Sequence, residues 1–196
     1  MVCIERKLIG ARSMLALNFL TVTDAFTRDI THITDKPASL NVHVRGKVVN
    51  WEPHYMIAHD DGRRDLVMVH TVSWLMGKTE EHAVYKRDLV DAMAVAARRA
   101  GFGFRLVTDE QVYVQPRLAN ARMLRRHLPS FGTSDGHVAA LEALSGLPKE
   151  SCVADLQTCL GKPFDAFVLA IQLDWLGHLR LDRRTLFSRA SSFVKI

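Results

Sequence analysis

Two histidines and a handful of carboxylates are the residues best placed to do chemistry in this sequence. His54 and His70 flank Asp60, Asp61 and Asp65, and Glu52 stands just before His54. Imidazole suits zinc, nickel or copper, whereas carboxylates suit harder cations. The set therefore admits a transition-metal site on His54 and His70, completed by Asp65 or Glu52. Such sites usually need three or more ligands, so the plainer reading is two hydrogen-bonded histidines. Glu52 shares a strand face with His54 only if Pro53 leaves the pleat intact. Asp60 and Asp61 precede Gly62, where Asp is favoured for backbone reasons.

A second set could hold phosphate. Arg122, Arg125 and Arg126 recur at helical spacing, and Arg180, Arg183, Arg184 and Arg189 cluster near the end of the chain. Arginines so grouped can track a nucleic-acid backbone or form a solvated surface. Glu80, Glu81, Lys86, Arg87, Asp88 and Asp91 decorate one long helix. They read as a solvated face, with phosphate contact by Lys86 or Arg87 as the sharper alternative. Trp51, Trp74 and Trp175 read as packing anchors rather than base-stacking platforms. Cys3, Cys152 and Cys159 are too few and scattered for a disulfide framework or a CxxC site, and read as small buried hydrophobes.

Composition sets the class. The 196 residues are 48% hydrophobic and 24% charged, which argues against a mostly disordered chain. Lys+Arg is 26 against Asp+Glu 21, a net charge of +5, compatible with an anionic partner. No apolar run reaches the roughly 20 residues of a membrane helix, and the first residues lack the pattern of a secretory leader. A cytoplasmic protein without membrane association is expected.

The elements that must position these residues follow from periodicity. Ser13 caps a short apolar helix over 13–20. Alternation predicts a strand over 39–45, a second over 48–58 that is irregular at Pro53, and an apolar third over 65–72, forming a three-strand meander. A helix from Thr79 to Ala100 carries Ala83, Val84, Leu89, Val90, Met93, Ala94 and Ala97 at helical spacing. A strand over 104–107 should then lie parallel to a meander strand, with a short edge strand over 112–114. A helix over 118–128 and a linker over 129–132 follow. Helices over 135–145, 149–160 and 164–176 precede a ribbon of 178–181 and 192–195. Three helices and a ribbon describe a winged helix, with Gly161-Lys162-Pro163 as its turn. Its second helix would show Asp165, Gln172 and Asp174 outward, a poor set for reading DNA.

The order of several short runs resembles a known family. Trp51-Glu52-Pro53-His54-Tyr55-Met56-Ile57, Asp60-Asp61-Gly62 and Leu66-Val67-Met68-Val69-His70 are similar to the core of TnsA-type transposon endonucleases. These are members of the restriction-endonuclease-like, PD-(D/E)xK superfamily. Phe104 to Asp109 and Pro116-Arg117-Leu118-Ala119-Asn120 resemble two later family motifs. The resemblance implies a restriction-endonuclease-like mixed sheet flanked by helices over 1–128. A winged-helix-like domain over 133–196 would complete the α/β chain.

The departures from the family pattern concern chemistry. The family holds Mg²⁺ or Mn²⁺ with oxygen ligands, and the metal activates water and offsets charge on the scissile phosphate. By resemblance His54 stands at the first metal-holding carboxylate, Met68 at the second, and His70 at the lysine. An upstream glutamate falls near Ala16. The resemblance thus implies a catalytically inactive pseudo-nuclease, with no metal or cofactor of its own. It would bind DNA through Arg122, Arg125, Arg126, Arg180, Arg183, Arg184 and Arg189, or a transposase, recombinase or regulatory protein of a mobile element; self-association stays open. Two alternatives are a metal-dependent endonuclease with a relocated or histidine-containing site, and a protein-interaction subunit without nucleic-acid binding.

Overall fold

The computed structural model describes residues 2–4, 7–129 and 134–196. It is mixed α/β and divides into two compact units between Val114 and Gln115.

In chain order the first unit contains β1 (Val2–Ile4), β2 (Lys7–Ile9), α1 (Met14–Phe26), β3 (Ile30–Thr34), β4 (Leu40–Val44), β5 (Lys47–Trp51), β6 (Tyr55–His59) and β7 (Arg64–His70). Then come α2 (Val72–Met76), α3 (Glu80–Arg99), β8 (Gly103–Thr108) and α4 (Asp109–Val112). The central sheet runs β3-β6-β7-β8. Its first three strands are antiparallel, and β8 lies parallel to β7 after the α3 crossover, as expected of a strand–helix–strand connection.

β7 organises this unit. Leu66, Val67, Met68 and Val69 are all buried, the pattern of a strand covered on both faces. Alternation sends Val67 and Val69 to one side, where they pack with Leu15, Phe19 and Leu20 of α1 and with Tyr55 and Ile57. It sends Leu66 and Met68 to the other, against Leu89, Met93 and Ala97 of α3 and Val42, Val44 and Trp51 of the β4–β5 hairpin. The i, i+4, i+8 spacing of the α3 trio gives that helix its apolar stripe. Thr79 caps it through a bond from the His82 amide to Oγ1.

Several expectations are corrected. The stretch 48–58 is two strands, because Pro53 interrupts the pleat, and β5 pairs with β4 in a separate two-stranded sheet. The meander is therefore β3-β6-β7, and β3 was not foreseen. Residues 112–114 form no strand. Thr108 and Gln111 make a capping box that starts α4, and Val112 ends it. The α1 helix also runs past Leu20 to Phe26.

The second unit contains α5 (Arg117–Arg126), α6 (Asp135–Gly146), β9 (Glu150–Cys152), α7 (Val153–Leu160), α8 (Ala166–Leu176), β10 (Leu179–Leu181) and β11 (Ser192–Lys195). Its sheet is antiparallel in the order β10-β11-β9. The helix over 149–160 is thus a strand and a shorter helix. α5, read as the end of the first domain, groups with this second unit. Most of the expected linker, 130–132, lies outside the described residues.

Gln157 shapes the turn between α7 and α8. Its Nε2 donates to the Gly161 and Phe164 carbonyls at 2.7 and 2.9 Å, and its Oε1 accepts the Ala166 amide at 3.0 Å. α8 is apolar nearly all round, and packs against α5, α6, α7 and β10, as such a helix must. Among the described residues no helix is long and apolar enough to cross a membrane.

Candidate functional site

Of the positions singled out by the resemblance, His54 and His70 come together, at the end of β7 and just before β6. The His54 amide donates to the Val67 carbonyl at 2.9 Å, and its Nδ1 accepts the Val69 amide at 3.1 Å. One ring nitrogen of His54 is therefore committed to the sheet, as Nδ1 must be unprotonated to accept. The His54 and His70 rings meet edge to face with centroids 5.2 Å apart. His70 also lies parallel against Trp74 of α2, 4.0 Å between centroids. Lys86 Nζ of α3 stands 4.0 Å from the centre of the same indole. Trp74 thus packs against both His70 and Lys86.

Electrostatics follow from this column. Burial lowers the affinity of His54 for a proton, and the Arg12 guanidinium adds to that. Burial, then His54 and Lys86, bring the His70 pKa down to about 4. Both imidazoles are neutral at pH 7, so neither provides the positive charge that the family's lysine would place beside a phosphate. Lys86 stands at the Trp74 end of the column and the Arg12 guanidinium acts on its His54 end.

Met68 has 2% exposure and lies wholly within the apolar layer between β7 and α3. Ala16, at 1% exposure, is enclosed in the other apolar layer. The residues present do not fit Mg²⁺ or Mn²⁺, which require oxygen ligands. Of the oxygen donors considered from sequence, none joins His54 and His70. Glu52 follows the break after β5, is exposed and lies 3.8 Å from Arg12. Asp61 accepts the Arg63 amide and Nε. Asp65 sits at the opposite end of β7, 3.4 Å from His59.

That last contact belongs to a cluster not foreseen from sequence. His59 Nδ1 lies 2.8 Å from Asp29 and Nε2 faces Asp65, with Arg63 3.9 Å from Asp29. The hydrogen bond from His59 holds the Asp29 carboxyl below its ordinary value. Each carboxylate addresses a different ring nitrogen, so the three residues share no common point for an ion. Among the described residues no group of three or more His, Cys, Asp or Glu is arranged to hold a metal.

The second unit brings its arginines to varied fates. Arg122 and Arg126 of α5 are exposed and Arg125 is half-buried. Arg180 is exposed on β10. Arg184 bonds Asp182 at 3.1 Å with its side chain 90% exposed, and Arg189 lies 3.8 Å from Asp165. Arg183 is engaged in the fold: its Nη2 donates to Asp174 Oδ1 at 2.5 Å, while Asp174 Oδ2 accepts the Leu181 amide at 2.9 Å.

Asp174 is accordingly buried, not outward-facing. Gln172 is half-buried and bonded to His137 Nε2 at 2.9 Å. Of the expected outward trio, only Asp165 is exposed, as the α8 N-cap. Asn120 of α5 donates to the Thr185 carbonyl and accepts the Phe187 amide, tying α5 to the loop between β10 and β11.

The cysteines also differ from expectation. Cys159 is exposed, and Cys152 is half-buried with its thiol donating to Asp155. The Cys3 side chain lies outside the described ones. The Trp74–Lys86 pairing was missed because the lysine and the indole belong to different helices. Comparison with known proteins adds no family: no family model matches the chain, and no curated protein matches its sequence.

Proposed function

We propose that the chain is a catalytically inactive, TnsA-like pseudo-nuclease that serves a mobile-element system as an accessory DNA-binding component. The observation that carries this reading is Met68. At the position of a metal-holding carboxylate, a thioether is sealed into the apolar layer of a mixed sheet with helices on both faces. The strand and helix order agrees with a restriction-endonuclease-like frame. In the second unit, β9 before α7 and α8 and the β10–β11 ribbon beside it agree with a winged helix. Exposed Arg122, Arg126, Arg180 and Arg184 would contact phosphates, giving affinity that falls steeply with salt.

One observation favours a second reading, a protein-interaction subunit without a nucleic-acid role. α8, the helix that would read base edges, is buried by its neighbours and presents little polar surface. A gel shift with duplex DNA across a salt series separates the two. Salt-sensitive binding weakened by Arg122→Gln and Arg126→Gln supports the accessory reading, and no binding at low salt supports the interaction subunit. Plasmid cleavage with Mg²⁺, Mn²⁺ or Zn²⁺ that is lost in His54→Ala would overturn both.

A further inference from the structure

A groove of about 610 Å³ opens beside the Trp74 column, between α2 and the first half of α3. Thr71, Ser73, Gly77 and Lys78 line it on one side, and His82, Tyr85 and Lys86 on the other, with Trp74 between. Its volume falls in the range of small-molecule sites, about 300–1,000 Å³.

Charge gives it a direction. The lining holds two lysines and a histidine but no carboxylate. Glu80 and Glu81, in the first turn of α3, are exposed and do not line it. The other α3 carboxylate nearby in sequence, Asp88, is taken by Arg45 at 2.7 Å. Thr71 and Ser73 place their hydroxyls 2.8 Å apart; Thr71 Oγ1 also accepts the Trp74 amide, and one hydroxyl proton of the pair is left to donate to a ligand. The Tyr85 phenol and the Trp74 indole add aromatic wall beside these cations, a combination suited to a planar base that carries a phosphate.

The groove is built into the backbone. Gly77 adopts φ +63°, and a Cβ there would come within 2.7 Å of the His82 Cβ. Only glycine lets α2 and α3 approach this closely. Lys86 is held in place over Trp74, so its ammonium is positioned before any ligand arrives.

We propose that this groove binds one nucleotide unit, with Lys78 and Lys86 on the phosphate and Trp74 and Tyr85 bordering the base. A free mononucleotide and a unit of a single DNA strand share that chemistry. The site goes beyond the arginine-mediated duplex binding proposed above and does not depend on it.

Calorimetric titration of the full chain with deoxyadenosine monophosphate, deoxyadenosine and a short oligothymidylate tests the proposal. A phosphate-bearing probe should bind saturably, and deoxyadenosine at least tenfold more weakly. Lys86→Gln and Lys78→Gln should each weaken binding about tenfold, an effect of about 1.4 kcal/mol, while Lys47→Gln, the same charge change elsewhere, leaves it unchanged. Binding of the mononucleotide assigns a free nucleotide as the source, and binding of the oligonucleotide alone assigns a strand. No binding of either probe overturns the proposal. So does binding indifferent to both groove lysines, or binding of the nucleoside as tight as that of its phosphate. The duplex gel shift reports the arginine surface separately, because Lys78→Gln and Lys86→Gln leave Arg122 and Arg126 in place.

Discussion

Replacing Met68 with glutamate places a carboxylate where TnsA-type endonucleases hold a metal under the proposed reading, and the structure predicts that no metal site results. Met68 is 2% exposed between β7 and α3. Its side chain contributes about 1.5–3 kcal/mol by burial, and that contribution is lost. A carboxyl group without a hydrogen-bond partner costs about a further 1–3 kcal/mol on protein mutational scales. The loss is then about 2.5–6 kcal/mol, a large share of the roughly 5–15 kcal/mol that stabilises a typical domain. Met68→Leu, which nearly conserves volume, should cost less than about 1.5 kcal/mol. Urea denaturation followed by tryptophan fluorescence measures both, since Trp51 and Trp74 lie in this unit. The decisive arm adds Mg²⁺. A cage that merely lacked one ligand would gain stability from the ion in Met68→Glu, through mass action on the native state. An apolar layer gains nothing. A Met68→Glu protein as stable as the parent, or one whose midpoint rises with Mg²⁺, would refute the reasoning.

Other outcomes follow from single contacts. Asp174→Ala removes the acceptor of the Leu181 amide and the partner of Arg183. It should destabilise the second unit by about 3–5 kcal/mol and speed hydrogen exchange at the Leu181 amide; exchange as slow as in the parent would contradict this. Gly77→Ala forces a side chain into a positive-φ position against His82 and should cost about 1–3 kcal/mol, read from the melting temperature. His70 binds a proton less readily folded, with a pKa of about 4, than at its ordinary 6.5. The unfolded chain therefore holds more protons between these values. The stability due to neutral His70 is present above pH 6.5 and declines as the pH falls toward 4. His70→Phe, which keeps a ring against Trp74, should flatten this dependence in pH-stepped urea melts. For duplex binding, Arg126→Gln should lower the slope of log K against log salt by about one if it contacts a phosphate.

The parts of the fold most legible in the sequence were those with local signals. Thr79 and Gly101 bracket α3, and the run Leu66 to Val69 announces a strand buried on both faces. Parallel pairing of β8 followed from the crossover. β3 escaped because Ile30-Thr31-His32-Ile33-Thr34 mixes polar and apolar types and its burial is set by β6. The split between β5 and β6 was foreshadowed by Pro53, yet which sheet each half joins depends on tertiary pairing. β9 escaped because its pairing with β11 is distant in sequence. α4 had a readable signal, since Thr108 and Gln111 are spaced for a capping box. At the site, strand periodicity put Met68 and His70 on one face, and motif order alone pointed to His54. The stack on Trp74, the Lys86 position and the Asp29–His59–Asp65 cluster were not. Each depends on which helix or strand end lies across from which.

The bonding of His54 to β7 has a consequence for how the first unit opens. A strand wrapped by oily layers above and below is the last to meet solvent as a protein breathes. The His54 ring is pinned to that strand's Val69 amide. The His54–His70 pair is thus fastened to a strand buried on both faces, and it should keep its shape after the outlying hairpins have frayed.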